Sequence, residues 1–272
     1  MYYKLFEKFK EFLKSKINSF VLVYIYKKLN KLEMKKITHL LNSTWFKEVI
    51  IPKKILIKKR KKILVISPHP DDEVIGCGGT LLKYDCLHSQ IIIVYITNGT
   101  NNQSKQKKRK AEAKRLCRKM NWEHIFLDFE LKSKTWNYLK LKQAIDKVNP
   151  EIIFIPSLFD DNIEHKNVNF LLNDSIKSSS KFSIWSYQVY SSHITNTVID
   201  ITDQIKKKAE LINIYKSQSK IRDWVHFSQG LNAWNSRLIG TRGKKLWVET
   251  FMVFDSKSYK SYIHKFRNIK KL

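Results

Sequence analysis

Glycine is scarce in this chain, 7 of 272 residues, and acidic side chains are outnumbered, with 24 Asp+Glu against 52 Lys+Arg and a formal net charge of +28. Cysteine occurs three times, at Cys77, Cys86 and Cys117. An odd count without zinc-finger spacing argues against a disulfide framework and for a reducing compartment. Long apolar runs are missing too. The most apolar stretch near the start, Ile17 to Tyr26, lies between Lys16 and Lys27 and is too short to cross a bilayer. A signal peptide fits poorly, because Glu7 and Glu11 sit early and no small-residue cleavage site follows. No nucleic-acid module accompanies the run Lys58-Lys59-Arg60-Lys61-Lys62, so nucleic acid is not expected as a partner.

What is present suffices for a packed core: 43% apolar and 12% aromatic residues over a length that suits one α/β domain with an extension. From Met1 to Lys62 there are 18 Lys+Arg against 4 Asp+Glu, a net +14. That bias suits an anionic surface, or reflects the lysine-rich usage of the whole chain. Tyr2, Leu5, Phe6, Phe9, Phe12, Leu13, Ile17 and Phe20 recur at helical spacing among lysines, as in an interfacial helix or in one packed on a domain. Residues 1–60 are therefore expected as a basic amphipathic helical extension, residues 61–255 as the main domain and residues 256–272 as a basic tail. Residues 1–62 are a candidate for peripheral membrane or anionic-surface contact. The expected location is cytoplasmic, with the inner membrane face as the candidate place of attachment.

The informative stretch is Ile63 to Lys83, ILVISPHPDDEVIGCGGTLLK. A short β-branched run predicts a buried strand ending in a polar turn that brings together His69, Asp71, Asp72 and Glu73. Gly76, Gly78 and Gly79 then read as a turn, with Cys77 a small buried residue within it, and Thr80 opens a helix. Such a turn at a strand's carboxyl end is where open α/β sheets keep their sites. His69 and Asp72 are spaced to bind zinc while Asp71 stays free as a base. Otherwise, the aspartates would cap the helix and His69 would be an ordinary turn residue.

Pro68-His69-Pro70-Asp71-Asp72-Glu73 followed by Gly76-Cys77-Gly78-Gly79-Thr80 resembles the signature of the PIG-L/LmbE-like family of zinc-dependent deacetylases of N-acetylated amino sugars. The likeness continues through Ile96-Thr97-Asn98-Gly99, a loop that borders the family's site, and through Arg109-x-x-Glu112. An exposed helical ion pair is the plain alternative for that last pair. Asn162-Ile163-Glu164-His165 stands where the family carries His-x-Asp-His. The resemblance implies His165 as the third ligand of a single Zn²⁺ and Glu164 as an acceptor that orients an imidazole. Asn162 departs from the family's histidine: an amide can donate to an oxyanion but carries no proton at neutral pH. Gln188, in Trp185–Tyr190, replaces a frequent glutamate, and His193 lies in a loop where the family approaches substrate, although a surface histidine is the simpler assignment.

Apolar runs at Gln90–Thr97, Ile125–Asp128 and Glu151–Pro156 alternate with helical patterns at 105–120, 139–148 and from about 168. That alternation predicts a Rossmann-like α/β domain with a mainly parallel sheet flanked by helices. The implied activity is hydrolysis of an N-acetylated sugar by zinc-activated water, with Asp71 as general base and Asn162 beside the oxyanion. The alternatives are a sugar-binding or membrane-associated scaffold of the same fold that has lost turnover, and a zinc amidohydrolase for another N-acyl group.

Overall fold

The β-branched run Ile63–Ile66 is wholly buried as part of β2 (Lys62–Ser67), at the centre of an eight-stranded sheet. A strand covered on both faces calls for such continuous apolar sequence. The computed structural model describes Tyr24, Lys28 and residues 51–131, 136–240 and 243–269. The amphipathic extension expected over residues 1–60 therefore lies outside the described residues up to Ile50, apart from Tyr24 and Lys28. A compact unit runs from Ile50 to His264; the other unit, Met1–Val49 with Lys265–Leu272, is described at few positions.

In chain order the elements are β1 (Lys53–Lys54), β2, α1 (Asp72–Asp85), β3 (Gln90–Tyr95), α2 (Gln103–Met120), β4 (Glu123–Phe126), α3 (Tyr138–Val148), β5 (Ile152–Pro156), α4 (Ile163–Ser175), β6 (Ser183–Tyr187), β7 (Thr197–Asp200), α5 (Ile205–Ile212), α6 (Lys216–Ser219), α7 (Trp224–Asn235), β8 (Val248–Asp255) and α8 (Ser256–Ile269). Short 3₁₀ turns precede α5 and follow α7. The strand order is β1-β7-β8-β6-β5-β2-β3-β4. Strands β4, β3, β2, β5 and β6 are mutually parallel, and β8 runs antiparallel to both β6 and β7. The mainly parallel sheet expected from the sequence is therefore present. The chain winds outward from β2 through β3 to β4, then crosses to β5 on the other side of β2. The loops after β2 and β5 diverge at that reversal and open the crevice in which such sheets hold ligands. Both sequence motifs fall there.

Three boundaries differ from expectation. Helix α4 starts at Ile163 rather than near 168, because the Asn162 side chain accepts from the Glu164 amide at 2.8 Å and caps it. Strand β4 ends at Phe126, and Asp128 takes a left-handed φ of 54°. The basic segment after Asp255 is helical as α8.

The glycine segment is a kink inside α1, where a turn before a helix was expected. Cys77 leaves helical geometry (φ −137°, ψ 15°). The amides of Gly79 and Thr80 donate instead to the Glu249 carboxylate from β8, at 2.9 and 2.7 Å. Glu249 thus caps the second half of the helix as a remote acceptor at its positive end, and Lys208 of α5 neutralises it at 2.8 Å. Gly76 and Gly79 are required by close packing. A Cβ on Gly76 would lie 2.2 Å from the Tyr187 ring and 2.9 Å from the Gln188 carbonyl, and one on Gly79 2.6 Å from Ile201. At Gly78 the nearest atoms are 3.5 Å away. Gly76→Ala is therefore expected to destabilise by about 1–3 kcal/mol through overpacking. Gly78→Ala should be neutral or stabilising by up to about 1 kcal/mol, since alanine is the better helix former. Urea unfolding of the two variants checks the contrast, and equal effects would contradict it.

Candidate active site

Strand β2 delivers Ser67 to the turn, and the turn is held by a buried carboxylate the chain supplies two residues after the base. Glu73 accepts from the Asp71 amide at 3.1 Å, from Ser67 Oγ at 2.9 Å and from Tyr95 Oη at 3.2 Å, with a further short hydrogen bond from Tyr215. Burial raises its pKa against these donors. This bracing holds Asp71 at φ 124°, a conformation that costs a non-glycine residue on the order of 1–3 kcal/mol and is met mainly at functional sites.

Asp72, wholly buried at the start of α1, is the meeting point. Its Oδ2 accepts from the His69 amide at 2.9 Å, and lies 3.0 Å from His69 Nδ1 and 3.2 Å from His165 Nε2. Burial works to raise the Asp72 pKa, but the two imidazoles prevail and hold it far below the carboxylate range. His165 is raised to about 10, against its own burial, by Asp72 and Asp160. One ligand atom from each of His69, Asp72 and His165 lies within 4.8 Å of the others. Asp72 Oδ1 and both His165 ring nitrogens are buried without a hydrogen-bond partner. Orphaned polar atoms of one imidazole and a carboxylate, with the His69 imidazole beside them, are what a divalent cation would satisfy, and the set suits zinc with positions left open. The residues present fit the metal.

Asp71 stands beside this group without joining it. Burial and the Asp72 charge raise its pKa well above the ordinary value, while Arg109 opposes them. Arg109, from α2, reaches Asp71 Oδ1 at 3.4 Å and the Pro70 carbonyl at 3.0 Å. It also donates to the Gly99 carbonyl at 3.1 Å. Gly99 has φ 67°, and a Cβ there would fall 2.2 Å from the guanidinium. The Arg109-x-x-Glu112 pair is therefore no exposed ion pair: both residues are buried, and Glu112 turns away to bind Ser217 through its amide and hydroxyl.

Asp160, which carried no role in the sequence, closes the β5 loop. It is fully buried and lies 3.4 Å from His165 Nδ1, short of hydrogen-bond alignment. It also accepts from the Asn162 and Tyr190 amides at 3.0 and 3.2 Å. Glu164, expected to orient an imidazole, lies instead 4.0 Å from His69 Nε2, beyond hydrogen-bond range. Asn162 spends its side-chain oxygen on the helix cap. Gln188 is buried and accepts from Asn235 and Thr250, each at 2.9 Å. His193, half-buried, lies 3.4 Å from the Thr250 hydroxyl, and desolvation lowers its pKa to about 4. No described hydrogen bond joins Gln188 or His193 to the metal group. Tyr190 was missed: its ring stacks on His165 at 5.2 Å, and partial desolvation with the Asp72, Asp71 and Asp160 charges raises its hydroxyl's pKa, although the residue keeps 38% of its surface exposed. Sequence offered no sign of it beyond its place after β6.

Two layers of comparison agree with this geometry. The family profile described as PIG-L, GlcNAc-PI de-N-acetylase, matches residues 64–176, which span both motifs. Over those residues the chain is similar to the PIG-L, GlcNAc-PI de-N-acetylase family. It is 25% identical over 187 residues to the diacetylchitobiose deacetylase of Thermococcus kodakarensis, covering 58% of this chain and 70% of that protein. The N,N'-diacetylchitobiose deacetylase of Pyrococcus horikoshii superposes with a TM-score of 0.61 at 21% identity, over 83% of this chain and 94% of that one. The 4-carboxy-2-hydroxymuconate hydratase of Pseudomonas putida gives the same TM-score at 16% identity, over 72% and 96%.

Two variants test the site. His165→Ala should lose bound metal altogether. Asp160→Asn should weaken metal affinity by about 10–100-fold, the usual cost of a lost orienting partner. Competition against a chromophoric chelator measures both, and unchanged affinity in Asp160→Asn would remove Asp160 from this role.

Proposed function

We propose that the chain is a hydrolase that removes the acetyl group from an N-acetylated amino sugar, an N-acetylglucosamine-type unit of a glycoside, glycolipid or glycan intermediate. One zinc ion would be held by His69, Asp72 and His165. The observation that carries this is the pairing of a buried His-Asp-His set, with Asp72 and His165 atoms left unpartnered, with a separate, strained carboxylate of raised pKa, Asp71. A fold shared with a hydratase does not fix the reaction; that pairing, together with the deacetylase relatives, favours amide hydrolysis.

When bound, the ion supplies Lewis acidity and brings the pKa of water towards neutrality. Asp71 then takes the proton of the attacking water as general base, with burial and the Asp72 charge raising its proton affinity. Arg109 holds one oxygen of the Asp71 carboxylate and opposes the rise in its pKa. As the water oxygen bonds to the acetamide carbon, the Asn162 amide and the Tyr190 hydroxyl are the available donors to the developing oxyanion. Asp71 returns its proton to the sugar nitrogen as the C–N bond breaks, giving acetate and a free amine. Because Asn162 cannot carry a proton, Asp71 serves as both base and acid.

Acetate release from N-acetylglucosamine conjugates by the zinc-loaded protein, abolished by chelation, is the expected result. Asp71→Asn should bind zinc normally and lose about 10²–10⁴ in kcat, the range for a general base. Full turnover in that variant would defeat the assignment. Zinc bound with no acetate released from any conjugate would move the proposal to a different N-acyl substrate.

A further inference from the structure

Helix α7 is built inside out. Its buried positions are Ser228, Asn232 and Asn235, all polar and all engaged. Ser228 donates to the Ile75 carbonyl, Asn232 to that of Val248 while accepting from Lys208, and Asn235 to Gln188. Past Trp224 and Val225 at its start, which pack on the core, two large aromatic side chains point the other way. Phe227 is 55% exposed and Trp234 62%, and Ile221, just before the helix, is 72% exposed. Between them Gly230 faces open space. The hydrophobic effect alone would bury this face, so a helix that hides its amides and shows its aromatics has a use for the exposed side.

Cations rim the patch. From Leu211 to Val248 the sequence holds 7 Lys+Arg against one acidic residue, Asp223, and Asp223 is occupied in capping α7. The Arg222 guanidinium sits 5.8 Å over the Trp224 ring and that of Arg237 4.8 Å over Trp234. Exposed indole, phenyl and aliphatic groups flanked by arginines match the layering of an anionic bilayer, with acyl boundary beneath and phosphate headgroups around. The patch is also continuous with the site: Tyr190 packs on His165 and, at 5.6 Å, on Trp224, which meets Phe227 at 6.2 Å.

We propose that the outward face of α7, with Ile221, is a docking surface for an anionic lipid bilayer, holding the mouth of the site at the headgroup layer. It is distinct from the contact expected of residues 1–62 and does not depend on the deacetylase assignment, because binding needs no turnover. The test is partition of the full chain onto vesicles of phosphatidylcholine alone and of phosphatidylcholine with phosphatidylglycerol. Wild type should prefer the anionic vesicles. Phe227→Ser/Trp234→Ser should weaken that partition by about tenfold or more, since two large apolar side chains leave the interface. Arg222→Gln/Arg237→Gln should weaken it by about tenfold and flatten its salt dependence. Both pairs are exposed, so an unchanged melting temperature is expected and would show that folding is intact. As a second readout, quenching by brominated lipid should fall in Trp234→Phe. Unaltered partition in the aromatic variant would overturn the proposal and leave residues 1–62 as the binding element. So would a wild type that ignores vesicles but forms an oligomer that Phe227→Ser/Trp234→Ser dissolves.

Discussion

A carboxylate with no access to water, Asp72, sets the terms for the rest of the site. Removing such a charge from solvent is costly unless it is paired and hydrogen-bonded. Here the chain gives it one backbone amide and two imidazoles on the same oxygen, and nothing on the other. Positive charge is therefore required at this spot, whether as imidazolium or as a bound cation. The demand extends outward. Asp160 behind His165 adds a second buried carboxylate, and Asp71 a third. Among the described lysines and arginines, only Arg109 comes within ion-pair distance of any of them, at Asp71. A cluster with this excess of negative charge, assembled where β2 and β5 part, is stable in proportion to the cation it can hold.

How much of this was legible in the sequence depended on whether one turn of chain contained it. His69 to Glu73 are contiguous, so their convergence could be read directly, and the alternation of apolar runs with helical patterns sufficed for the parallel sheet. Asp160 could not be read that way. Its importance arises because the loop after β5 folds back, so that its carboxylate faces His165 and collects the amides of Asn162 and Tyr190. Glu73 was likewise underestimated, since Tyr95 and Tyr215, which fix it, lie 22 and 142 residues away. The glycines misled for a related reason: scarce in the chain and clustered here, they resemble a turn, whereas the neighbours that exclude a Cβ come from β6 and the segment after β7.

Asn162 shows two constraints meeting on one residue. A helix that begins at Ile163 needs an acceptor for its first amides, and asparagine is among the best side chains for that place. The cap brings His165 into the first turn, pointing inward beside Asp72. Histidine would bring a titratable proton but cap less well. The sequence departs from the pattern it resembles at a place where the helix needs a cap, and the cap is what the Asn162 oxygen supplies. Of Asn162 and Asp71, only Asp71 is titratable, and burial with the neighbouring Asp72 charge raises its pKa.

The same economy of polar groups explains why α7 can present aromatics to solvent. Glu249 must be buried to cap the second half of α1, which obliges Lys208 to be buried with it, and Lys208 in turn needs Asn232. The inner face of α7 is thus committed to satisfying a polar seam, and Ser228 and Asn235 complete it. Packing energy for the helix comes from hydrogen bonds that would be expensive to leave unmade, with Trp224 and Val225 contributing apolar contact at its start. Phe227 and Trp234 are then surplus to folding. Residues that folding does not use, placed in line with the route from His165 through Tyr190 to the surface, are free to be selected for what they touch outside the protein.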